Sequence, residues 1–292
     1  MPAIAAVIVT YNPPQGMKER LDAVARQVDH VVIVDNNSDQ KAQWHNDNIE
    51  IIRNESNQGL AAALNQGIAC ALRRNAEWVL LLDHDSMPAP DMVERMLAAY
   101  QRYPNPERIG LIAPEIKDKN VAVRTRYLAA KGRFCFERII LDEPVNDRVL
   151  AVITSGSLIK ASTFNNVGLM PEHFFIDYID YAFCLKMKTR GYSILLVKDA
   201  ILLHRLGDKK EYSVAGVKMV ASHHSVRRRY TIFRNRIWLW KRYAAALPSF
   251  VIYDALAASY DALRIALFEE QKWEKYRAIL KGICDGVRAE PD

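Results

Sequence analysis

The first hundred residues alternate between short, nearly unbroken apolar runs and stretches with helical spacing. AIAAVIVTY (3–11), HVVIVDNNS (30–38), IEIIRN (49–54) and WVLLL (78–82) read as strands. MKERLDAVARQV (17–28) and GLAAALNQGIACALRRN (59–75) read as helices. A strand that is apolar on both faces must be covered on both faces, which calls for a parallel sheet with helices on either side. The fold class is therefore α/β, with a mostly parallel sheet flanked by helices. Ligands of such sheets sit beyond the carboxyl ends of the strands. Each polar cluster of this region follows a strand end: Thr10-Tyr11-Asn12, Asp35-Asn36-Asn37-Ser38 and Asp83-His84-Asp85.

Further on, VLAVITSGSLIK (149–160) reads as a strand, IDYIDYAFCLKMKTRGY (176–192) as a helix closing at Gly191, and SILLVKDAILLH (193–204) as strand material. The texture changes near residue 206. Residues 1–200 hold 23 Lys and Arg against 24 Asp and Glu, whereas residues 201–292 hold 17 against 10. The whole basic excess lies in the last third, which points to an anionic partner there. The four cysteines are scattered without zinc-site or disulfide spacing, as expected of reduced thiols in a cytoplasmic protein. The apolar N-terminus lacks a preceding basic residue, so a strand is expected rather than a signal peptide. No apolar run is long enough to cross a membrane.

The run WVLLL ends in Asp83-His84-Asp85. Strand side chains alternate, so both carboxylates are expected on one side, where their repulsion calls for a cation. Mg²⁺ or Mn²⁺ takes such oxygen ligands, typically sharing them with a substrate's phosphates. The competing structural reading is a capping cluster, with Ser86 or Asp91 starting the next helix. A phosphatase-type aspartyl nucleophile would need Thr where Met87 stands.

In this order, VIVTYN, VIVDNNSD, NQGLAAALNQGI and VLLLDHDSMP resemble the inverting family 2 glycosyltransferases, whose fold is GT-A, a Rossmann-like arrangement. The resemblance spans residues 4 to about 205. LLHRLGD and RRRYTIFRNRI resemble the rhamnosyltransferase branch, with its His-x-x-Gly element and Arg-Tyr-rich segment.

The resemblance implies that Thr10, Tyr11, Asn12 and Asp35 hold the base and ribose of a nucleoside diphosphate sugar. Asn57, Gly59 and Asn65 would line the same pocket. Asn57 also suits a helix cap, and Asp35 an Asx turn with Asn36 and Asn37. Asp83 would reach the ribose or the metal's waters, Asp85 the metal, and His204 the metal or diphosphate. His84 is a nucleotide contact or a bystander, and His223-His224 have no carboxylate at ligand spacing.

Most family members carry Glu-Asp before the helix that ends in Arg-x-Gly-Tyr; here the element reads Asp177-Tyr178-Ile179-Asp180. Asp180 takes the base position, with Asp177 as the alternative. Three residues apart, the two would share a helix face. Inversion needs one carboxylate to take the acceptor's proton as its oxygen attacks opposite the leaving diphosphate. Ser155 and Gly156 match the family's small-residue strand facing acceptor or sugar; a β-bulge is the plainer reading.

Seven cations and no acid lie between Arg227 and Arg242, interleaved with Tyr230, Phe233, Trp238 and Trp240. Arg227 to Arg229 are expected to close over the donor diphosphate. The segment after them reads as an interfacial helix, with cations and aromatics at the headgroups of an anionic membrane surface. Packing of helix 250–268 as core, or a homodimer through the C-terminal helices, is the alternative. Nucleic acid is not an expected partner, since no nucleic-acid-binding fold precedes the segment.

These readings give a catalytic domain over 1–205 and a basic helical extension over 206–292. The expected reaction is inverting transfer of a sugar, L-rhamnose from dTDP-rhamnose, to a lipid-linked saccharide acceptor. Its setting would be O-antigen-type polysaccharide synthesis, in a cytoplasmic protein peripheral to the membrane's inner face. A UDP-sugar donor is the alternative, as is a degenerate membrane-associated scaffold. A sugar-phosphate nucleotidylyltransferase would need a Gly-rich basic loop after the first strand, and TYNPPQGMKER lacks that form.

Overall fold

The computed structural model describes residues 2–40, 48–118, 124–204, 210–214, 217–221 and 223–289. The chain divides into two compact units: residues 1–129 with 138–204, and residues 130–137 with 205–292.

The strands are β1 (Ile4–Thr10), β2 (His30–Asp35), β3 (Ile49–Arg53), β4 (Trp78–Asp83), β5 (Met87–Pro88), β6 (Ile109–Asp118), β7 (Arg126–Ala130), β8 (Phe136–Ile140), β9 (Val145–Asn146), β10 (Leu158–Lys160), β11 (Ser193–His204), β12 (Lys210–Val214) and β13 (Val217–Ala221). The helices are α1 (Met17–Ala25), α2 (Leu60–Arg73), α3 (Met92–Arg102), α4 (Ala161–Val167), α5 (Ile179–Thr189), α6 (Val226–Tyr243), α7 (Pro248–Phe268) and α8 (Lys272–Arg288).

The main sheet of the first unit runs β3-β2-β1-β4-β10-β6-β11-β5, with β9 paired to β11. β1 to β4 are mutually parallel and carry the apolar runs. Every residue of β1 is buried, as coverage on both faces requires. α2 packs on β1 and β2 through Gly67, where a Cβ would lie 2.3 Å from Val7. Because β2 and β3 lie on one side of β1 and β4 on the other, the chain reverses direction across the sheet at β1. A cleft for a ligand opens at such a reversal. Thr10 and Asp35 are register partners at the ends of β1 and β2, and Asp83 ends β4 beside Val9. The three polar clusters therefore share one rim.

Two expectations are corrected. Only Leu158–Lys160 of the segment 149–160 is strand, running antiparallel between β4 and β6. Ser155 and Gly156 lie in the loop before it. The expected helix from 176 begins at Ile179, because Phe175, Asp177 and Tyr178 all have positive φ and turn the chain first. Asp177 thus precedes the helix rather than sharing a face of it with Asp180.

In the second unit α6 and α8 pack closely. Gly282 and Gly286 make this possible: a Cβ there would lie 2.5 Å from the Tyr230 carbonyl oxygen and 2.8 Å from Ile237 Cβ. The acids that interrupt the apolar run of α7 pair with cations of α6. Arg236 Nε lies 2.9 Å from Asp254, which also accepts from Trp240 Nε1 at 2.7 Å. Arg229 pairs with Glu269, and Lys275 reaches the other Glu269 oxygen at 2.8 Å. α7 leaves Ile252, Leu256, Tyr260, Leu263 and Leu267 exposed on one helical stripe, Leu256 at 58%. On α8 the exposed apolar residues are Trp273 (79%), Leu280 and Val287, set among exposed Lys272, Arg277, Lys281 and Arg288. No helix among the described residues is long and apolar enough to cross a membrane.

Candidate functional site

One side of the rim is built on β1 and β2. Asp35 is buried at the end of β2, where its Oδ1 accepts from the Ser38 amide at 3.1 Å and its Oδ2 lies 3.8 Å from Arg53. Asn12, with φ of 48°, exchanges hydrogen bonds with Asp39 and donates from its backbone amide to Ser38 Oγ. The loops after β1 and β2 are thereby stitched together, leaving Tyr11 exposed between them.

Asn36 fixes the next wall. Its amide donates to Asn57 Oδ1 at 3.0 Å and to the Gly59 carbonyl, while its oxygen accepts from Asn54 and from the Gln58 amide. Four bonds hold one loop to the end of β2, so an amide that reads as a turn former organises the pocket's edge. Asn57 stays exposed beside it. Gly59 has φ of +85°, and a Cβ there would lie 2.6 Å from the Phe175 ring. Only glycine permits this contact between the loop after β3 and the segment leading to Asp180.

Asn65 is corrected. It is buried, and its amide is committed to the backbone of Met170 and to Glu172 Oε1, so it braces that segment and faces no ligand.

Asp83, Asp85 and His204 form the second part of the site, with ligand atoms all within 4.8 Å of one another. Asp83 ends the strand and the chain then turns, with the Ser86 amide donating to the Asp83 carbonyl at 3.1 Å. That turn, not strand alternation, brings both carboxylates to one side. The two-residue β5 pairs Met87 with Leu203, which clips the turn against the end of β11 and delivers His204. His204 Nε2 lies 3.8 Å from Asp83 Oδ2, and Nδ1 lies 3.4 Å from Asp85 Oδ1. His84 lies in the turn outside the cluster, and the His-x-x-Gly element beyond His204, through Gly207, lies outside the described residues.

The charges within this cluster are mutually dependent. Burial pulls His204 down, but the Asp85 hydrogen bond and both carboxylate charges hold it above the usual range. Burial pushes Asp85 up, yet the hydrogen bond and charge of His204 leave it lowered. The Asp83 side chain is 40% exposed, but the protein around it still desolvates its carboxyl and raises it, against His204. Two carboxylates sharing one imidazole retain a surplus of negative charge. Two oxygens and one imidazole nitrogen at this spacing fit Mg²⁺ or Mn²⁺, with room in the coordination shell for phosphate and water.

Asp180 occupies the first turn of α5. Burial pushes its carboxyl up to about 6, against the Tyr181 amide that donates to Oδ1 at 2.8 Å, with the Asp177 and Asp83 charges adding to the rise. A small cavity behind it is lined by Leu81, Val152, Met170, Phe183 and Cys184. This apolar backing makes the carboxylate a stronger base than an ordinary aspartate while leaving it mostly ionised at neutral pH.

Three further assignments change. Ser155 is buried and accepts from the Asp83 amide at 3.0 Å, so it supports the turn and does not face an acceptor. A Cβ on Gly156 would lie 2.7 Å from Pro114 and 2.8 Å from Leu202, so this glycine serves core packing. Arg229 is 1% exposed and paired with Glu269, so its charge is consumed within the helical unit and cannot close on a diphosphate. Arg227 remains exposed on α6.

Residues 5–132 match the family model described as glycosyl transferase family 2. A dTDP-rhamnosyl transferase, RfbF, of Shigella flexneri is 27% identical over 98% of this chain and 95% of its own length. The galactofuranosyltransferase GlfT1 of Mycolicibacterium smegmatis is 22% identical over 81% of this chain and 82% of its own. Among solved structures, S. aureus TarS 1–349 superposes with a TM-score of 0.61 at 15% identity, covering 98% of this chain and 81% of TarS 1–349. At that identity the likeness establishes the fold, an α/β arrangement of the GT-A type.

Proposed function

We propose that the chain, whose residues 5–132 match glycosyl transferase family 2, is a glycosyltransferase of that family and transfers L-rhamnose from dTDP-rhamnose to a saccharide hydroxyl with inversion. The observation that carries the reading is the cluster of Asp83, Asp85 and His204 together with a desolvated Asp180, in the first turn of α5, that feels the Asp83 charge. The donor is suggested by the dTDP-rhamnosyl transferase of Shigella flexneri, which aligns over nearly the whole chain.

Thr10, Tyr11, Asn12, Asp35, Asn57 and Gly59 would bound the base and ribose, with Asp83 and His84 toward the ribose and diphosphate. Asp83, Asp85 and His204 would hold Mg²⁺ or Mn²⁺, which when bound neutralises charge on the departing nucleoside diphosphate. Asp180 takes the acceptor's proton while the acceptor oxygen bonds to the anomeric carbon. The bond from that carbon to the diphosphate oxygen breaks on the opposite face, and dTDP leaves with the electron pair. Asp177 adds negative charge beside Asp180 and keeps it basic.

The setting proposed is surface polysaccharide synthesis of the O-antigen type on a lipid-linked acceptor, at the inner face of the cytoplasmic membrane. What supports it is the uncharged exposed stripe of α7 and the outer face of α8, where exposed apolar residues lie among four exposed cations and one exposed acid, Glu274. Such faces lie in a membrane interface, with cations at anionic headgroups.

Purified protein would be titrated with TDP and UDP, with and without Mn²⁺, and assayed for dTDP release from dTDP-rhamnose. Tighter binding of TDP than UDP, strengthened by Mn²⁺, is expected. Equal affinity for both nucleotides would remove the donor assignment, and indifference to Mn²⁺ would remove the metal.

A further inference from the structure

The structure assigns the tip of the β7–β8 hairpin, residues 131–135, as a second contact with an anionic membrane surface, made by the Phe134 ring and the cations on either side of it. The inference rests on the membrane reading of the α7 stripe and adds a contact outside the C-terminal helices.

The Lys131 amide donates to the Cys135 carbonyl at 2.9 Å, which closes the hairpin and leaves Gly132, Arg133 and Phe134 as its turn. Gly132 has φ of +84°, and a Cβ there would meet nothing within 4 Å, so the turn opens into free space at this point. All of residues 131–135 are exposed, and the Phe134 ring is exposed at 60%. A single exposed ring is ordinary on a protein surface, so its surroundings must carry the argument.

Those surroundings are basic on one side and apolar on the other. Lys131 and Arg133 precede Phe134, and no acid occurs from Lys131 to Phe136. The Arg133 guanidinium lies 5.3 Å from the centre of the Phe134 ring. Two residues further on, Phe136 meets Tyr253 of α7 edge-on, with ring centres 5.3 Å apart. Tyr253 is the neighbour of Ile252 and lies three residues before Leu256, so it stands on the flank of the exposed α7 stripe. Two residues of chain span at most about 7 Å, so the tip is tethered close to that stripe. Hairpin tip and α7 belong to the same compact unit.

A lipid interface satisfies both parts. Lys131 and Arg133 reach anionic headgroups, while the Phe134 ring and the α7 stripe enter the boundary with the acyl chains. A saccharide or an acidic protein would meet the cations but would leave the adjoining uncharged stripe in water. Two modest contacts that engage together also bind far more tightly than either alone.

Cys135 permits a probe at the tip with no substitution there. Cys70 and Cys184 are buried, so in Cys284→Ser a thiol-reactive nitrobenzoxadiazole label goes to exposed Cys135. Labelled protein is mixed with vesicles of phosphatidylglycerol and phosphatidylcholine in equal parts, and with phosphatidylcholine vesicles alone. On the anionic vesicles the emission should shift to the blue and be quenched by lipids spin-labelled in the acyl chain. On phosphatidylcholine alone neither should occur. In sedimentation, Phe134→Ala, and separately Lys131→Gln with Arg133→Gln, should each weaken anionic-vesicle binding roughly 10- to 30-fold, the order for losing one buried ring or two headgroup cations. Turnover on a soluble saccharide acceptor should be unchanged in both.

Wild type that sediments with anionic vesicles while the label emits as in water would overturn the tip assignment and leave the α7 reading standing. So would Phe134→Ala binding within about twofold of wild type. Equal binding to both kinds of vesicle would overturn the anionic partner. Wild type that sediments with neither would remove the membrane reading itself. Turnover lost in Phe134→Ala with vesicle binding retained would overturn the inference in favour of an acceptor contact at the tip.

Discussion

Replacing Asp180 by Asn should remove activity and stabilise the protein at the same time. The carboxyl titrates near 6 in the folded chain against 3.8 for an ordinary aspartate. That gap makes ionisation of the folded state unfavourable by about 3 kcal/mol. Residual exposure of the carboxyl screens part of it, so about 1–3 kcal/mol is the working figure. The sign follows from proton linkage. A raised folded value means that the contribution is fully present below pH 3.8 and is lost as pH rises through 6. Asp180→Asn carries no charge to desolvate. It should therefore exceed wild type by about 1–3 kcal/mol in urea unfolding at pH 7, and the advantage should shrink toward pH 4. Its turnover should fall by about 10² to 10⁴, the range for a lost general base. In wild type, turnover at saturating donor and Mn²⁺ should track the ionised fraction of Asp180. That fraction is about nine-tenths at pH 7, about half at pH 6 and about one-tenth at pH 5. Saturation separates this limb from weakened donor binding caused by protonating Asp83. An acid limb near pH 4, or a variant less stable than wild type at pH 7, would refute the assignment of Asp180 as the buried base.

Arg229→Ala should act on stability and not on the donor. It leaves Glu269, whose side chain is fully buried, with Lys275 as its remaining cation, so the loss should approach, but not exceed, the cost of a broken buried pair, about 3–5 kcal/mol. Urea unfolding should show that loss while donor KM of the folded protein stays unchanged; a raised KM alone would restore the diphosphate role. Gly59→Ala must displace the Phe175 ring and hold a non-glycine residue at φ of +85°, a strain of about 1–3 kcal/mol. Because Phe175 leads into Asp180, kcat should fall along with donor affinity, whereas a change in affinity alone would show the two segments to be independent. Leu256→Asp with Leu263→Asp should abolish sedimentation with anionic vesicles and leave soluble-acceptor turnover intact. Retained vesicle binding would exclude the α7 stripe, and loss of a dimer in solution would assign that stripe to self-association.

The rim of the sheet was legible because its signal is local. Apolar runs of five or six residues, each closed by a polar cluster, report burial and strand end together. What the site does with those clusters was less legible. Asn65 lies within α2 and Asn36 follows the end of β2, yet both read as polar site residues, and one braces a distant loop while the other ties a neighbouring loop to β2. That difference depends on partners more than a hundred residues away in one case and about twenty in the other. The cations of α6 misled for a similar reason. A run without acids reads as a surface, but Asp254, Asp261 and Glu269 arrive from later in the chain and draw Arg229 and Arg236 inward. Ser86 reads as a helix cap, and its contact with His204 spans 118 residues.

Long-range ties of this kind also explain how a site assembled from loops can hold a fixed geometry. The Asn36 bonds lock to β2 the edge proposed to hold the nucleotide. The Gly59 contact with Phe175 locks that edge to the segment before Asp180. The β5 pairing and the Ser86 contact with His204 lock the carboxylate turn to β11. The proposed donor pocket, cation cluster and base are thus braced against one sheet through short polar or van der Waals contacts. An in-line displacement requires the acceptor oxygen, the anomeric carbon and the leaving oxygen to be held within a fraction of an ångström. Each brace therefore supplies orientation, and its loss should lower turnover more than it lowers nucleotide affinity. A substitution in the Asn36 network, such as Asn36→Ala, that reduced TDP binding while leaving turnover at saturating donor unchanged would show that the pocket edge only binds and does not orient.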